Sequence, residues 1–134
     1  MWYNKEMLPS QHAVVGIIAA VLFYPIFGIN AWMIAAAAVL IDVDHYFIYI
    51  YRKKSLNIKD AYWFFRNVKD GSFYYPIFHM VEIIVLEAVF VYYYPIFLPI
   101  LIGQIIHVAQ DWVEENFSRR TTRNFSFLLS YKNS

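Results

Sequence analysis

The stretch that decides the fold is Met7–Ile41, which reads MLPSQHAVVGIIAAVLFYPIFGINAWMIAAAAVLI. These 35 residues contain no Asp, Glu, Lys or Arg. A membrane-crossing helix needs roughly 20 predominantly apolar residues, so the stretch is long enough for two crossings. Pro25 and Gly28 mark a tight turn within residues 24–30. The sequence therefore opens with a predicted transmembrane helical hairpin.

The composition of the whole chain supports the same class. Hydrophobic residues make up 60% of the 134 residues, and charged residues make up only 16%. A soluble domain is roughly 45–50% apolar and about 25% charged. The chain has no cysteine, which excludes a disulfide scaffold, thiolate-ligated metals and thiol catalysis. The net charge of +1 gives no support to nucleic-acid binding.

A second charge-poor block, residues 72–113, predicts two more spans. We expect an all-α integral membrane protein in a single domain, residues 1–134, built as an up-down-up-down four-helix bundle. The predicted spans are residues 9–24, 30–51, 73–93 and 97–115.

The basic residues predict the orientation of this bundle. All eleven Lys and Arg lie in the N-terminal segment, the 52–72 loop or the 116–134 tail, and the opposite turns carry none. The positive-inside rule makes that side cytoplasmic. The sequence thus predicts a multi-pass cell-membrane protein with both termini in the cytoplasm.

The 52–72 segment is predicted to contain an amphipathic helix that lies along the membrane surface. Asn57 to Asp60 resembles a capping box, although Asp replaces the usual Glu or Gln. Gly71 suits a helix C-terminus, and aromatic residues lie between these two points. The tail, with Arg119, Arg120 and Arg123 before its apolar residues, is expected to anchor in the same way.

The predicted spans also contain polar residues that membrane helices rarely carry. Apart from Glu114 and Glu115 at the very end of the fourth span, five acids and all four histidines fall there: Asp42, Asp44, Glu82, Glu87, Asp111, His12, His45, His79 and His107. Each intramembrane charge costs about 2.5–3.5 kcal/mol on insertion scales. No Lys or Arg lies in the spans to pair with these acids. The acids must therefore be protonated or must bind a cation.

Spacing favours the cation. His107 and Asp111 are four residues apart and His79 and Glu82 are three apart, so each pair shares one helix face. Glu87 is five residues past Glu82 and is rotated by about 140° on a regular helix, which makes it a doubtful member of the site.

Depth in the membrane agrees with the spacing. Asp42, Asp44 and His45 lie near the cytoplasmic end of span two, and His12 lies near the start of span one. In an up-down-up-down bundle these residues and those of spans three and four share the cytoplasmic half.

The expected site is a multinuclear metal centre. Imidazole and carboxylate ligands without thiolate suit Zn²⁺, with Mn²⁺ or Fe²⁺ as further possibilities. The candidate ligands exceed the needs of one tetrahedral zinc, which predicts two or three ions: His12, Asp42, Asp44, His45, His79, Glu82, His107 and Asp111. Two of these residues are candidates for a catalytic role in activating a water. Asp44 is the candidate bridging ligand, and Glu82 is a candidate ligand or general base.

The motifs resemble those of the YdjM-like family of membrane-bound metal-dependent hydrolases. The resemblance covers about residues 10–112 and rests on Asp42-Val43-Asp44-His45, on the early His12, and on the late G-x-x-x-H-x-x-x-D pattern of Gly103 to Asp111. It implies a metal-dependent hydrolase distantly similar to zinc-dependent phospholipases C and nucleases. Ile41 stands where the family usually has Pro, and the central motif is reduced to residues 78–82, without one His and a hydroxyl.

The sequence thus predicts a hydrolase of a lipid-like or lipid-linked phosphoester. The site's depth in the cytoplasmic leaflet motivates this choice of substrate. Three other classes use similar residues: a transporter of divalent metal ions or protons, a bis-histidine haem bundle and a di-iron oxidase. Ion uptake, a Soret band and oxygen consumption would identify them respectively.

Overall fold

Helices dominate the part of the chain that the computed structural model describes, residues 9–66 and 76–118, and this part contains no strand. Short 3-10 turns at Gly28–Ala31, Ile77–His79 and Pro95–Phe97 precede three of the helices. The predicted all-α class is confirmed for these residues. The helices are α1 (Pro9–Phe27), α2 (Trp32–Leu40), α3 (Val43–Lys53), α4 (Ile58–Arg66), α5 (Val81–Tyr93) and α6 (Leu98–Ser118).

The first hairpin turns at Gly28, inside the predicted turn of residues 24–30, and α1 ends three residues after its predicted end at residue 24. Helix α1 continues through Pro25 to Phe27, and Gly28 then adopts a φ of +55°. Proline near the end of a helix removes a single backbone hydrogen bond, whereas a left-handed φ strongly favours glycine. Gly28 rather than Pro25 therefore fixes the position of the turn.

Small residues bring α1 and α6 very close to α2. A Cβ atom on Gly16 of α1 would lie 2.9 Å from the Cβ of Ala38, and one on Gly103 of α6 would lie 2.5 Å from the carbonyl oxygen of Ile34. These contacts, with Gly16 also against Ala35, place α2 between α1 and α6. Helix α1 runs antiparallel to α2.

The predicted second span is interrupted. Helix α2 ends at Leu40 and α3 begins at Val43, with a tight turn between them. In this turn the His45 N–H donates to the Asp42 carbonyl at 3.1 Å, in place of a regular helical bond. The break lies within the predicted Asp42 to His45 motif, so Asp42 precedes α3 while Asp44 and His45 lie in its first turn.

The predicted third span begins later than expected. Pro76 and Met80 both have extended backbone, at ψ 113° and 136°, and α5 starts only at Val81. His79 therefore lies in the 3-10 turn before α5 and not on the helix itself. Residues 67–75, which include the predicted start of this span and Gly71, lie outside the described residues.

The segment between α3 and α4 has the predicted N-cap. The Asn57 side-chain oxygen accepts hydrogen bonds from the backbone N–H of Lys59 at 3.0 Å and of Asp60 at 3.4 Å. The Tyr49 ring packs edge-on against Phe64 of α4, with centroids 5.7 Å apart. These contacts hold α4 against α3. The tail from residue 119 onward lies outside the described residues.

Apolar side chains cover much of the described surface. Leu22 is 71% exposed and Tyr92 is 80% exposed, while several of the buried side chains are histidine and aspartate. Two helical stretches, Ser10–Lys53 and Pro95–Val113, are long and apolar enough to cross a membrane. Soluble monomers seldom expose large contiguous apolar patches, because such a surface is costly to hydrate.

Candidate metal centre

A cluster of polar side chains lies where four parts of the fold meet: the start of α1, the α2–α3 break, the 3-10 turn before α5 and the second half of α6. The cluster is nearly dry, since His107 is 0% exposed and His12 is 2% exposed. It brings together seven of the eight residues that the sequence proposed as metal ligands: His12, Asp42, Asp44, His45, His79, His107 and Asp111.

Four ligand atoms at its centre form a compact cage. His79 Nε2 lies 3.0 Å from His107 Nε2 and 3.3 Å from Asp111 Oδ2, and His107 Nε2 lies 3.5 Å from that oxygen. Asp42 Oδ1 is 3.3 Å from His107 Nε2 and 3.7 Å from His79 Nε2. Ligands about 2.0–2.2 Å from a tetrahedral zinc lie roughly 3.3–3.6 Å from one another. These five separations, 3.0–3.7 Å, lie close to that range, so the cage can accommodate an ion of the size of zinc.

Hydrogen bonds on the far side of each ring turn these histidines toward the cage. His107 Nδ1 donates to the Ala38 carbonyl at 2.7 Å, and a carbonyl is only an acceptor. In its neutral form His107 therefore has its proton on Nδ1 and a lone pair on Nε2. His79 Nδ1 faces Asp44 Oδ2 at 3.4 Å in the same manner. Metal-binding histidines usually have such a partner behind the ring.

Asp44 lies behind the cage rather than at one of its corners. Its Oδ2 accepts the Phe78 backbone N–H at 3.0 Å and faces His79 Nδ1, while its Oδ1 lies 2.8 Å from His45 Nδ1. A carboxylate with these partners orients two imidazole rings. The predicted role of Asp44 as a bridging ligand is not the role that these contacts favour.

The two outer histidines extend the cluster beyond one ion. His12 Nε2 lies 3.5 Å from Asp111 Oδ1, while the other oxygen of Asp111 belongs to the cage. His12 also stacks on His107 with ring centroids 4.1 Å apart. On the opposite side, His45 Nδ1 lies 3.6 Å from Asp42 Oδ1. Asp111 thus has one oxygen in the cage and the other facing an outer histidine, as a bridging carboxylate does, whereas Asp42 faces His45 with the same Oδ1 that belongs to the cage.

The cage opens at Asp42. The Asp42 side chain is 31% exposed, whereas those of His79, His107 and Asp111 are at most 4% exposed. Two imidazoles and one carboxylate are therefore fully enclosed, and the fourth corner is accessible. Catalytic zinc sites have three protein ligands and an accessible fourth position, while structural sites are closed.

Two predicted members lie apart from the cage. Glu82 is in the first turn of α5 and is half-buried, and it does not belong to the three groups of potential ligands found among the described residues. Glu87 lines an apolar groove one turn further along α5. The 3-10 turn explains the position of Glu82, because it separates His79 from the helix that carries Glu82.

Sequence reasoning did not assign roles to two glutamines. Gln110 Oε1 lies 3.1 Å from His12 Nδ1, so Gln110 holds the His12 ring from behind. Gln104 Nε2 donates to the Phe78 carbonyl at 2.7 Å and thereby fixes the turn that carries His79. The signal was present in the sequence, since both glutamines lie within three residues of His107 in an apolar helix.

The charge of the cluster favours a cation. Asp42, Asp44 and Asp111 bring three carboxylates into a nearly dry volume, and residues 9–51 and 76–118 contain no Lys or Arg. Burying carboxylates without compensating charge costs several kcal/mol for each ion. The buried histidine and aspartate groups can hold a metal ion, and the donor set, the cage dimensions and the charge all fit one.

The fold and the site thus define a class: an all-helical protein with two stretches apolar enough to cross a membrane and a buried His/Asp cluster able to hold metal. Comparison with known proteins finds no family model, no curated protein and no solved structure that matches this chain. The resemblance to the YdjM-like hydrolases therefore stays a prediction from its motifs.

Proposed function

We propose that this protein is an integral membrane hydrolase that cleaves a lipid-like phosphoester with the help of divalent metal, most favourably zinc. The observation that carries the proposal is the cage of His79, His107, Asp111 and Asp42, which has zinc-like dimensions and opens at one corner. The motif resemblance to the YdjM-like family supports the same activity. The cage is at once large enough for the ion and accessible to a substrate.

The proposed setting is a bilayer crossed four times, with both termini in the cytoplasm. The exposed apolar side chains and the two membrane-length stretches support it. Helices α2 and α6 run parallel, because Gly103 lies beside Ile34 and His107 lies beside Ala38. This direction agrees with an up-down-up-down arrangement. In this setting the centre lies in the cytoplasmic half, near the depth of phospholipid head groups.

The residues of this chain divide the work. His79, His107 and Asp111 would hold the ion, which would supply Lewis acidity toward a phosphoryl oxygen and lower the pKa of a bound water. Asp42 would complete the ligand set at the exposed corner, through which water and substrate would reach the ion. Asp44 and Gln110 hold the rings of His79 and His12. The dry walls strengthen each of these electrostatic interactions.

Phosphate release from phosphatidic acid in mixed detergent micelles tests the proposal. Wild-type protein loaded with zinc should release phosphate, and Asp111→Asn should lower the rate by at least about 100-fold, because it removes a buried ligand. Asp60→Asn is the matched control, since Asp60 is an exposed acid on α4 far from the cage. Equal rates in wild type and Asp111→Asn would contradict the proposal.

Transport of divalent ions is the second candidate. The observation that favours it is the groove beside the site, where Gln104 and Glu87 could bind an ion in passage. Zinc uptake into sealed proteoliposomes, dependent on Glu87, would support transport. Iron in the purified protein together with oxygen consumption would instead indicate an oxidase, because two imidazoles and one carboxylate also suit ferrous iron.

A further inference from the structure

An apolar groove begins beside the metal centre and runs between α2, α5 and α6. Its volume is about 370 Å³, which is within the range of small-molecule sites. Ala36 and Leu40 form its exposed edge, and Ile83 and Ile100 line it from the other two helices. Apart from Glu87 and Gln104 the lining residues are apolar, so a groove of this size can hold a hydrocarbon chain.

The inner end of the groove is connected to the metal centre through one residue. The Phe78 side chain lines the groove, while the Phe78 backbone N–H donates to Asp44 at 3.0 Å. Ile41, which also lines the groove, directly precedes Asp42 at the open corner of the cage. A molecule that occupied both places would therefore have its apolar part in the groove and its polar end at Asp42.

Gln104 gives the groove a chemical preference. It is only 4% exposed, and its Nε2 is committed to the Phe78 carbonyl, which can only accept. Its Oε1 therefore cannot exchange places with the nitrogen, and among the described residues this oxygen has no hydrogen-bond partner. A buried acceptor without a donor is unfavourable, and Gln104 lines the groove, so a ligand whose hydroxyl or amide N–H reached this oxygen would gain a hydrogen bond that the protein does not supply.

We propose that the groove binds the hydrocarbon chain of a lipid phosphoester that has a hydrogen-bond donor next to that chain, and that Gln104 Oε1 accepts from the donor. This inference rests on the proposed hydrolase function for the identity of the polar end. Gln104 thereby acts as a specificity residue and the groove as the chain site. A lysophospholipid-like molecule with one chain and a free hydroxyl has this chemistry.

Photocrosslinking to metal-free protein tests the chain site separately from hydrolysis. The probe is a lysophosphatidic acid with a diazirine in its acyl chain, used in mixed micelles with a chelator present. Adducts should concentrate on the groove segments, and Ala36→Trp should lower labelling at least about fivefold by filling the groove. Ala88→Trp is the matched control, because Ala88 is an exposed alanine of α5 outside the groove. Uniform labelling along the apolar surface would overturn the proposal.

The role of Gln104 is tested with a second probe in which a methoxy group replaces the free hydroxyl. Wild type should prefer the hydroxyl probe about five- to tenfold, as expected for one hydrogen bond to a buried acceptor. In Gln104→Met the two probes should label the groove about equally. A purely structural defect would instead lower labelling by both probes by the same factor and leave the preference for the hydroxyl probe unchanged. Groove labelling without phosphate release would remove the hydrolase proposal alone. Phosphate release without groove labelling would remove the chain site alone.

Discussion

His79 and His107 point their Nε2 atoms at each other across 3.0 Å. The Nδ1 atom of each ring faces an oxygen, Ala38 O for His107 and Asp44 Oδ2 for His79, so the protons of neutral rings lie on Nδ1. Two nitrogen lone pairs at this distance repel unless a cation lies between or beside them. The pair is therefore most stable when the cage holds positive charge.

The first prediction concerns metal content. Wild-type protein purified without chelators should retain at least one equivalent of zinc, and His107→Ala should lose it because a fully enclosed ligand is removed. Asn30→Ala, a change in the exposed turn before α2, should retain it. Elemental mass spectrometry measures all three. Zinc-free wild type, both as purified and after reconstitution, would rule out the metal centre.

The second prediction separates Asp44 from the cage ligands. Because Asp44 contacts the far side of His79, Asp44→Asn should weaken zinc binding by about 10–100-fold but leave the stoichiometry at saturation unchanged. Asp111→Asn should instead reduce the number of zinc ions bound per protein at saturation. Competition titration against a chelator of known affinity gives both quantities. Loss of stoichiometry in Asp44→Asn would instead make Asp44 a direct ligand.

The helices and the members of the cluster could be predicted from the sequence because both leave a strong local signal. An uncharged run as long as residues 7–41 is typical of membrane-crossing helices, and acids in apolar segments are costly enough to require a partner. Helical periodicity alone was enough to predict that His107 and Asp111 share one face of a helix. Asn57 was likewise predicted as a cap from its neighbours, and its two hydrogen bonds are present.

The division of roles within the cluster could not be predicted, because it depends on breaks in the helices. The turn at Asp42 and the 3-10 turn before α5 have weak sequence signals, since Ile41 and Met80 are ordinary helix residues. These two breaks place Asp44 behind His79 and separate Glu82 from the cage. Contacts between segments that are distant in sequence, such as that of Gln110 with His12, also cannot be predicted from local periodicity.

The third prediction tests the close contact that aligns α6 with α2. In Gly103→Ala the added methyl group would lie 2.5 Å from the Ile34 carbonyl oxygen, so α6 must move. We expect a loss of about 1–3 kcal/mol in stability, as is usual for overpacking, together with weaker zinc binding. Thermal unfolding in detergent measures the first effect. The control is Ala109→Leu, on the exposed face of α6, which should unfold at the same temperature as wild type. An unchanged unfolding temperature in Gly103→Ala would contradict the close contact between α6 and α2.

The fourth prediction concerns α4. Asn57→Ala removes the acceptor for two backbone N–H groups and should destabilise this helix by about 0.5–2 kcal/mol. The effect should be local, because α4 packs on α3, where Tyr49 and Ala61 form the buried contact. Hydrogen exchange should therefore accelerate in α4 while zinc content stays unchanged. Faster exchange throughout α6 would show that α4 supports the metal centre.

The fifth prediction tests the membrane topology with single cysteines, for which the cysteine-free chain gives no background. Asn30 lies in the exposed turn between α1 and α2, and Lys59 lies on the exposed face of α4. If the basic segments are cytoplasmic, a membrane-impermeant maleimide should label Asn30→Cys in intact cells and label Lys59→Cys only after lysis. Labelling of both from the same side would contradict the four-span arrangement, because α2 and α3, which lie between residues 30 and 59, form the proposed second span. Labelling of Lys59→Cys alone in intact cells would keep the spans but invert them, and the metal centre would then face the outer leaflet.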